Sequence, residues 1–304
     1  MASIAGCITT SHVAAIGRAI DRGLQEDPYW KPFFDGFQPV HRWLEAASPD
    51  VAVVIYNDHG LNFFLDKMPT FAIGAAPEYR NADEGWGPAT VPPFPGHPAL
   101  SWPMIESIMG EEFDLTTCQE MLVDHAVVNP MRLLWPDSTD WPVRIVPIDI
   151  NTVQYPLPSA RRCWRFGEAI GRAINSYEED LRVVVVGTGG LSHQLDGRQG
   201  GLINTEFDLE FMDSMTNDPV WATGYSTQEL AELAGPQGVE VMMWLAARAT
   251  LLGDVRKVTA NYHIPVSTTA AGLMLLEPAE QRGRAGAAAV ARPGGGLTEA
   301  AAGA

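Results

Sequence analysis

Three stretches of this chain are apolar with almost no polar alternation: VAVVIY at 51–56, VRIVPIDI at 143–150 and RVVVVG at 182–187. A strand with one wet face alternates apolar and polar residues, whereas a continuous Val/Ile run is covered on both faces. Such strands require helices above and below the sheet they form. Further strands are predicted at 4–10, 70–74 and 120–123, and helices at 12–23, 37–47, 98–110, 159–176, 205–216, 227–234 and 237–251. Ser159 follows Pro158 and reads as the cap of the fourth helix. The fold class is therefore α/β: a central, mostly β-sheet core flanked by helices. A composition of 46% hydrophobic residues with nine Trp supplies a sizeable core. One domain is expected over 1–278, followed at 279–304 by an Ala/Gly-rich stretch with little to bury, read as a flexible tail. The Pro/Gly-rich segment 77–97 is long for a connector, and loops of that length are often functional.

Charge and cysteine usage narrow the class. The formal net charge is −17 with a sequence pI near 4.7. No Lys/Arg cluster stands out, which argues against a nucleic-acid binder, and an acidic surface disfavours anionic membranes. Cys7, Cys118 and Cys163 are widely spaced, with no C-x-x-C pair. The N-terminus MASIAGCITTSH lacks a basic leader followed by a long apolar run. No apolar stretch approaches the ~20 residues needed to cross a bilayer. A reducing cytoplasm is the expected compartment.

Four of the seven histidines follow predicted strands: IAGCITTSH ends at His12, VAVVIYNDH at His59, EMLVDH at His125 and RVVVVGTGGLSH at His193. Sites in open α/β sheets form outside the carboxyl ends of strands. A single histidine there is more often a hydrogen-bonded structural residue, but four in one slot favour a shared polar site, fit for metal binding or proton transfer. His41 in a helix and His97 before Pro98 read as structural, and His263 is left open. Glu240 is the only charge in GVEVMMWLAA, a run apolar on every helical face. A buried carboxylate needs a cation, a metal or a proton. A helix-start glutamate favoured by the dipole competes equally on this stretch alone. With the histidines, two imidazoles and a carboxylate match the facial triad of non-haem Fe(II), and zinc is the alternative occupant. GTGG at 187–190 is a weak phosphate motif with no P-loop Lys-Ser/Thr after it. SHQLDGR lacks the G-x-S-x-G elbow of a serine nucleophile.

An ordered set of short motifs carries a resemblance: ITTSH, VIYNDH, PTFAIG, ADEGWGP, GHPAL, VDH, GTGGLSHQL, GLINTEFD, GVEVMMWL and YHIPVSTTAAG. The chain resembles the type II extradiol ring-cleaving dioxygenases from its N-terminus to about Leu276, and within them the branch of protocatechuate 4,5-dioxygenase catalytic (beta) subunits. The resemblance implies Fe(2+) held by His12, His59 and Glu240, with His193 as the acid/base and His125 beside substrate and dioxygen. It implies 4,5-type cleavage of a protocatechuate-like carboxylated catechol to a hydroxymuconate semialdehyde. It also implies a separate small alpha subunit over the site, two alpha with two beta chains. In the family's P-A-S-N-T-A stretch this chain has PVSTTA, so Ser267 and Thr268 are the expected carboxylate-binding pair, and Val266 adds bulk. Ala126, in place of glycine, is expected to tighten the pocket. These departures keep gallate or a methylgallate as the alternative substrate. A zinc-dependent hydrolase or lyase with the same ligands, and a non-enzymatic scaffold relative, are the lower-ranked readings.

Overall fold

The computed structural model describes residues 1–86, 90–136, 140–264 and 268–279. The expected tail therefore lies, beyond Ala279, outside the described residues. The elements run β1 (Ser3–Thr10), α1 (Ala14–Asp21), α2 (Lys31–Asp35), α3 (Gln38–Ala47), β2 (Val51–Tyr56), β3 (Phe71–Gly74), β4 (Glu78–Asn81) and β5 (Phe94–Pro95). There follow α4 (Pro98–Gly110), β6 (Thr116–Cys118), β7 (Leu122–Val123), α5 (His125–Leu134), β8 (Arg144–Ile150), α6 (Ala160–Ser176) and β9 (Arg182–Thr188). The last are α7 (Thr205–Asn217), α8 (Thr227–Ala234), α9 (Val241–Ala249), β10 (Val255–His263) and β11 (Ala271–Pro278), with 3-10 turns at Trp221–Gly224 and Gly238–Glu240.

Eight strands form one sheet in the order β10-β11-β1-β9-β2-β8-β3-β6. Its centre, β1-β9-β2-β8, is parallel throughout. The unbroken Val/Ile runs sit there, and successive residues face opposite layers as a pleated strand requires. Val51, Val53 and Ile55 of β2 join a core with Met104 of α4, Phe166 of α6 and Trp244 of α9. Ala52, Val54 and Tyr56 join the opposite core with Ile16 of α1, Val40 of α3 and Met131 of α5. Helices α6 and α9 approach so closely that a Cβ on Gly167 would lie 2.0 Å from the Ala246 carbonyl oxygen.

Three features depart from expectation. The strand read at 120–123 shrinks to β7 and belongs to a small side sheet, β5-β4-β7. His125 therefore opens α5 instead of ending a strand of the main sheet. Helix α5 was hidden by Pro130, which sits inside it. The antiparallel pair β10-β11, added at the β1 edge, was also unread. VRKVTANYH is half-exposed and polar, and AGLMLLEP is rich in residues that serve helices equally well. No helix among the described residues is long and apolar enough to cross a membrane.

Candidate active site

Strand order explains how residues far apart in sequence meet. β1, β9 and β2 are parallel neighbours, with Thr10 paired to Thr188 and Ile55 to Gly187. Their carboxyl ends lie together, and the chain leaving them carries His12, His193 and His59 respectively. His125 arrives at the same place from the head of α5, its ring centroid 4.2 Å from that of His59. Glu240 enters from the 3-10 turn that leads into α9. These five side chains line one cleft of about 630 Å³.

Each imidazole is held by Nδ1. His59 Nδ1 is 2.9 Å from Asp124 Oδ2, His125 Nδ1 is 2.8 Å from Glu84 Oε2, and His193 Nδ1 is 2.8 Å from the Leu191 carbonyl oxygen. Carboxylate and carbonyl oxygens only accept, so these three rings donate from Nδ1. His12 Nδ1 pairs with the Thr188 hydroxyl at 3.0 Å. The Nε2 atoms of three rings then converge on Glu240: His12 at 3.3 Å, His59 at 3.7 Å and His193 at 3.9 Å. Holding a histidine by its second nitrogen is how metal sites fix tautomer and orientation.

The electrostatics follow from burial and pairing. Burial opposes ionisation of Glu240, but His12, with His59 and His193, holds its carboxyl well below the usual range. Burial likewise opposes the charge on Asp124, yet His59 brings its carboxyl down to about 2. For His12 burial wins, and its pKa falls despite Glu240. For His59 burial is outweighed by Asp124 and Glu240, which raise it well above the ordinary value. Among the described residues no Lys or Arg partners Glu240: Arg248, the nearest cation in sequence, donates to the carbonyls of Met215 and Gly253. The Glu240 carboxylate also accepts the Gly190 N–H at 2.6 Å. Gly189 adopts φ +137°, and a Cβ there would meet the Glu240 carbonyl oxygen at 2.8 Å. The GTGG stretch is thus a turn that lets Glu240 and His193 close on each other.

The donors fit a divalent metal. His12 and His59 present their Nε2 atoms to a buried anionic carboxylate, with the Asn57 amide 3.4 Å from His59 Nε2, which is a two-imidazole, one-carboxylate set. His125 adds a further nitrogen: one ring nitrogen from each of His12, His59 and His125 lies within 4.8 Å of the other two. Of the expected carboxylate-binding pair, Ser267 lies outside the described residues, and Thr268 is exposed and does not line the cleft. Its neighbour Thr269 does line it and bridges to His193. Ala126 packs in the core behind α5, away from the cleft lining. His41 and His97 are structural, pairing with the Leu133 carbonyl and capping α4, and His263 meets the Tyr29 carbonyl. Sequence reading missed Asp124, Glu84, Trp86 and Gln237. Glu84 and Trp86 fall within ADEGWG and Asp124 within VDH, while nothing marked Gln237.

Comparison with known proteins places this geometry. The model for the catalytic LigB subunit of aromatic ring-opening dioxygenase matches residues 6–274. Gallate dioxygenase of Pseudomonas putida is 43% identical over 200 residues, covering 66% of this chain and 58% of the relative. The chain thus matches less than two thirds of that protein's length. A 2,3-dihydroxyphenylpropionate/2,3-dihydroxicinnamic acid 1,2-dioxygenase of Rhodococcus globerulus is 27% identical over 260 residues, covering 71% of this chain and 80% of the relative. The crystal structure of an uncharacterized Escherichia coli K12 protein shares the fold, with a TM-score of 0.56 at 13% identity over 89% of this chain and 99% of that one. With a family match spanning nearly all described strands and helices, and a cleft lined by four imidazoles, three of which converge on one carboxylate, the chain belongs to the LigB family of extradiol aromatic ring-opening dioxygenases.

Proposed function

We propose that this chain catalyses extradiol cleavage of gallate, a trihydroxybenzoate, using Fe(2+) held by His12, His59 and Glu240. The observation that carries the reading is the convergence of two Nδ1-anchored imidazoles on a buried carboxylate that has no Lys or Arg partner among the described residues. Similarity to a gallate dioxygenase moves the substrate from the protocatechuate expected above to its alternative. Glu240 is preferred to His125 as the third ligand because a buried divalent ion needs an anionic counter-charge.

Bound iron would supply Lewis acidity that lowers the pKa of the substrate hydroxyls, and a one-electron centre for dioxygen chemistry. The rest falls to the protein. His193 donates from Nδ1 to Leu191, so its neutral ring presents a lone pair at Nε2 toward the cleft. That nitrogen takes a proton from a substrate hydroxyl and returns it later, which is general acid/base work. His125, held at Nδ1 by Glu84, offers its Nε2 to the same cleft. Among the described lining residues are three carboxylates, Asp83, Glu84 and Glu240, and no Lys or Arg. A benzoate carboxylate is therefore received by neutral donors, and the cleft wall at Thr269 is the proposed place.

Oxygen uptake by chain loaded with ferrous iron under nitrogen tests this. Gallate is expected to give a kcat/KM at least tenfold above protocatechuate, with the ring opened beside the hydroxyl pair. A preference for protocatechuate would restore the earlier substrate reading. Uptake with neither, or a bond broken between the hydroxyls, would end the proposal.

A further inference from the structure

Glu84 lies in the ADEGWG stretch, on a loop, yet its side chain is only 3% exposed. Its Oε1 accepts the His125 backbone N–H at 2.8 Å and its Oε2 accepts from His125 Nδ1 at 2.8 Å. Asp124 treats His59 in the same way, with Oδ2 accepting both the backbone N–H at 2.8 Å and Nδ1 at 2.9 Å. Two neighbouring imidazoles are thus each pinned at backbone and ring by one carboxylate. Trp86, two residues beyond Glu84, packs its ring against His125 at 5.4 Å. Arg18 lies over the other ring of that stack, 5.5 Å from the Trp86 centroid.

We infer that Glu84 is a positioning residue for the ring-opening reaction. By occupying Nδ1–H it fixes the tautomer and ring rotation of His125, so that Nε2 is the nitrogen presented to the substrate. Trp86 closes the space into which the imidazole would otherwise swing. A carboxylate near a helix N-terminus also stabilises the helix, so the test must separate anchoring α5 from orienting His125. The inference rests on the proposed function only for its turnover readout.

The test is a double-mutant cycle on the full chain with Glu84→Gln and His125→Phe. It is paired with nitrogen NMR of 15N-histidine-labelled protein loaded with zinc as a diamagnetic ion, the His125 signals being those lost in His125→Phe. Glu84→Gln is expected to lower kcat/KM for gallate at least tenfold at unchanged iron content and melting temperature. It should change kcat/KM less than twofold in the His125→Phe background, and shift or abolish the His125 Nδ1–H signal. Equal losses in both backgrounds, wild-type turnover, or an unchanged His125 signal would overturn the inference. Should Glu84→Gln not fold, Glu84→Asp, which keeps the charge but shortens the reach, takes its place with the same expected pattern. The spectrum reads Glu84's hold on His125 without turnover, so failure of the gallate reading, seen as no uptake by wild type, is distinguishable.

Discussion

The partner on Nδ1 decides what an imidazole does with Nε2, and at this site three imidazoles donate to three different acceptors while His12 pairs with the Thr188 hydroxyl. The anchors predict separable phenotypes. His193→Gln should keep its iron and lose about 10²–10⁴-fold in kcat, the usual contribution of a placed acid/base. Asp124→Ala should act on the metal instead, weakening affinity about 10–100-fold, as loss of a ligand's hydrogen-bond partner typically does. Equilibrium dialysis against ferrous ion, run beside the oxygen assay, checks both. Retained affinity in Asp124→Ala would remove His59 from the ligand set. The sequence pointed to His12, His59, His125 and His193 because each follows a strand-like run, and to Glu240 because it is the only charge in an apolar one. The roles of Asp124 and Glu84 were not legible: VDH and ADEGWG contain them, but nothing local says which imidazole any of the chain's 37 Asp and Glu will meet. Their partners lie 65 and 41 residues away, joined only by folding.

Among elements, the three parallel strands β1, β9 and β2 matter most, because their adjacency turns three distant histidines into neighbours. The unbroken apolar runs of β9 and β2 made them visible, IAGCITT read as a strand for β1, and the helices over them showed helical spacing. Adjacency itself was not visible, since strand order depends on how crossovers pack. The elements that were missed had conflicting local signals: Pro130 within α5, polar residues along β10, and Leu and Met in β11. The layer behind the site is tight as well. α9, which continues from Glu240, packs on α6 through Gly167, where an added Cβ would sit 2.0 Å from Ala246 O. Backbone cannot yield as a flexible side chain does, so Gly167→Ala should cost about 1–3 kcal/mol by overpacking. Urea unfolding gives the value, and an unchanged midpoint would show that α6 and α9 separate freely. A shift of α9 large enough to relieve the clash should also lower iron affinity, because Glu240 leads directly into it.

For the whole molecule, one sheet with a core on each face accounts for nearly all of residues 1–279, and the cleft opens at one end of its parallel centre. The Ala/Gly-rich stretch beyond is proposed to add nothing to that core. Deleting 280–304 should leave the melting temperature within about a degree, and a larger drop would show that the stretch packs. A separate small subunit over the cleft is likewise proposed. Adding such a subunit should raise kcat/KM, and full activity without it would make it unnecessary. The central claim is narrower than either: two imidazoles and one carboxylate hold a single ferrous ion, with His125 and His193 left free to serve the substrate. A crystal grown anaerobically with ferrous iron, measured at the iron absorption edge, addresses it directly. The account predicts one anomalous peak about 2 Å from His12 Nε2, His59 Nε2 and a Glu240 oxygen. No peak, or one bound by His12, His59 and His125 with Glu240 turned away, would contradict it.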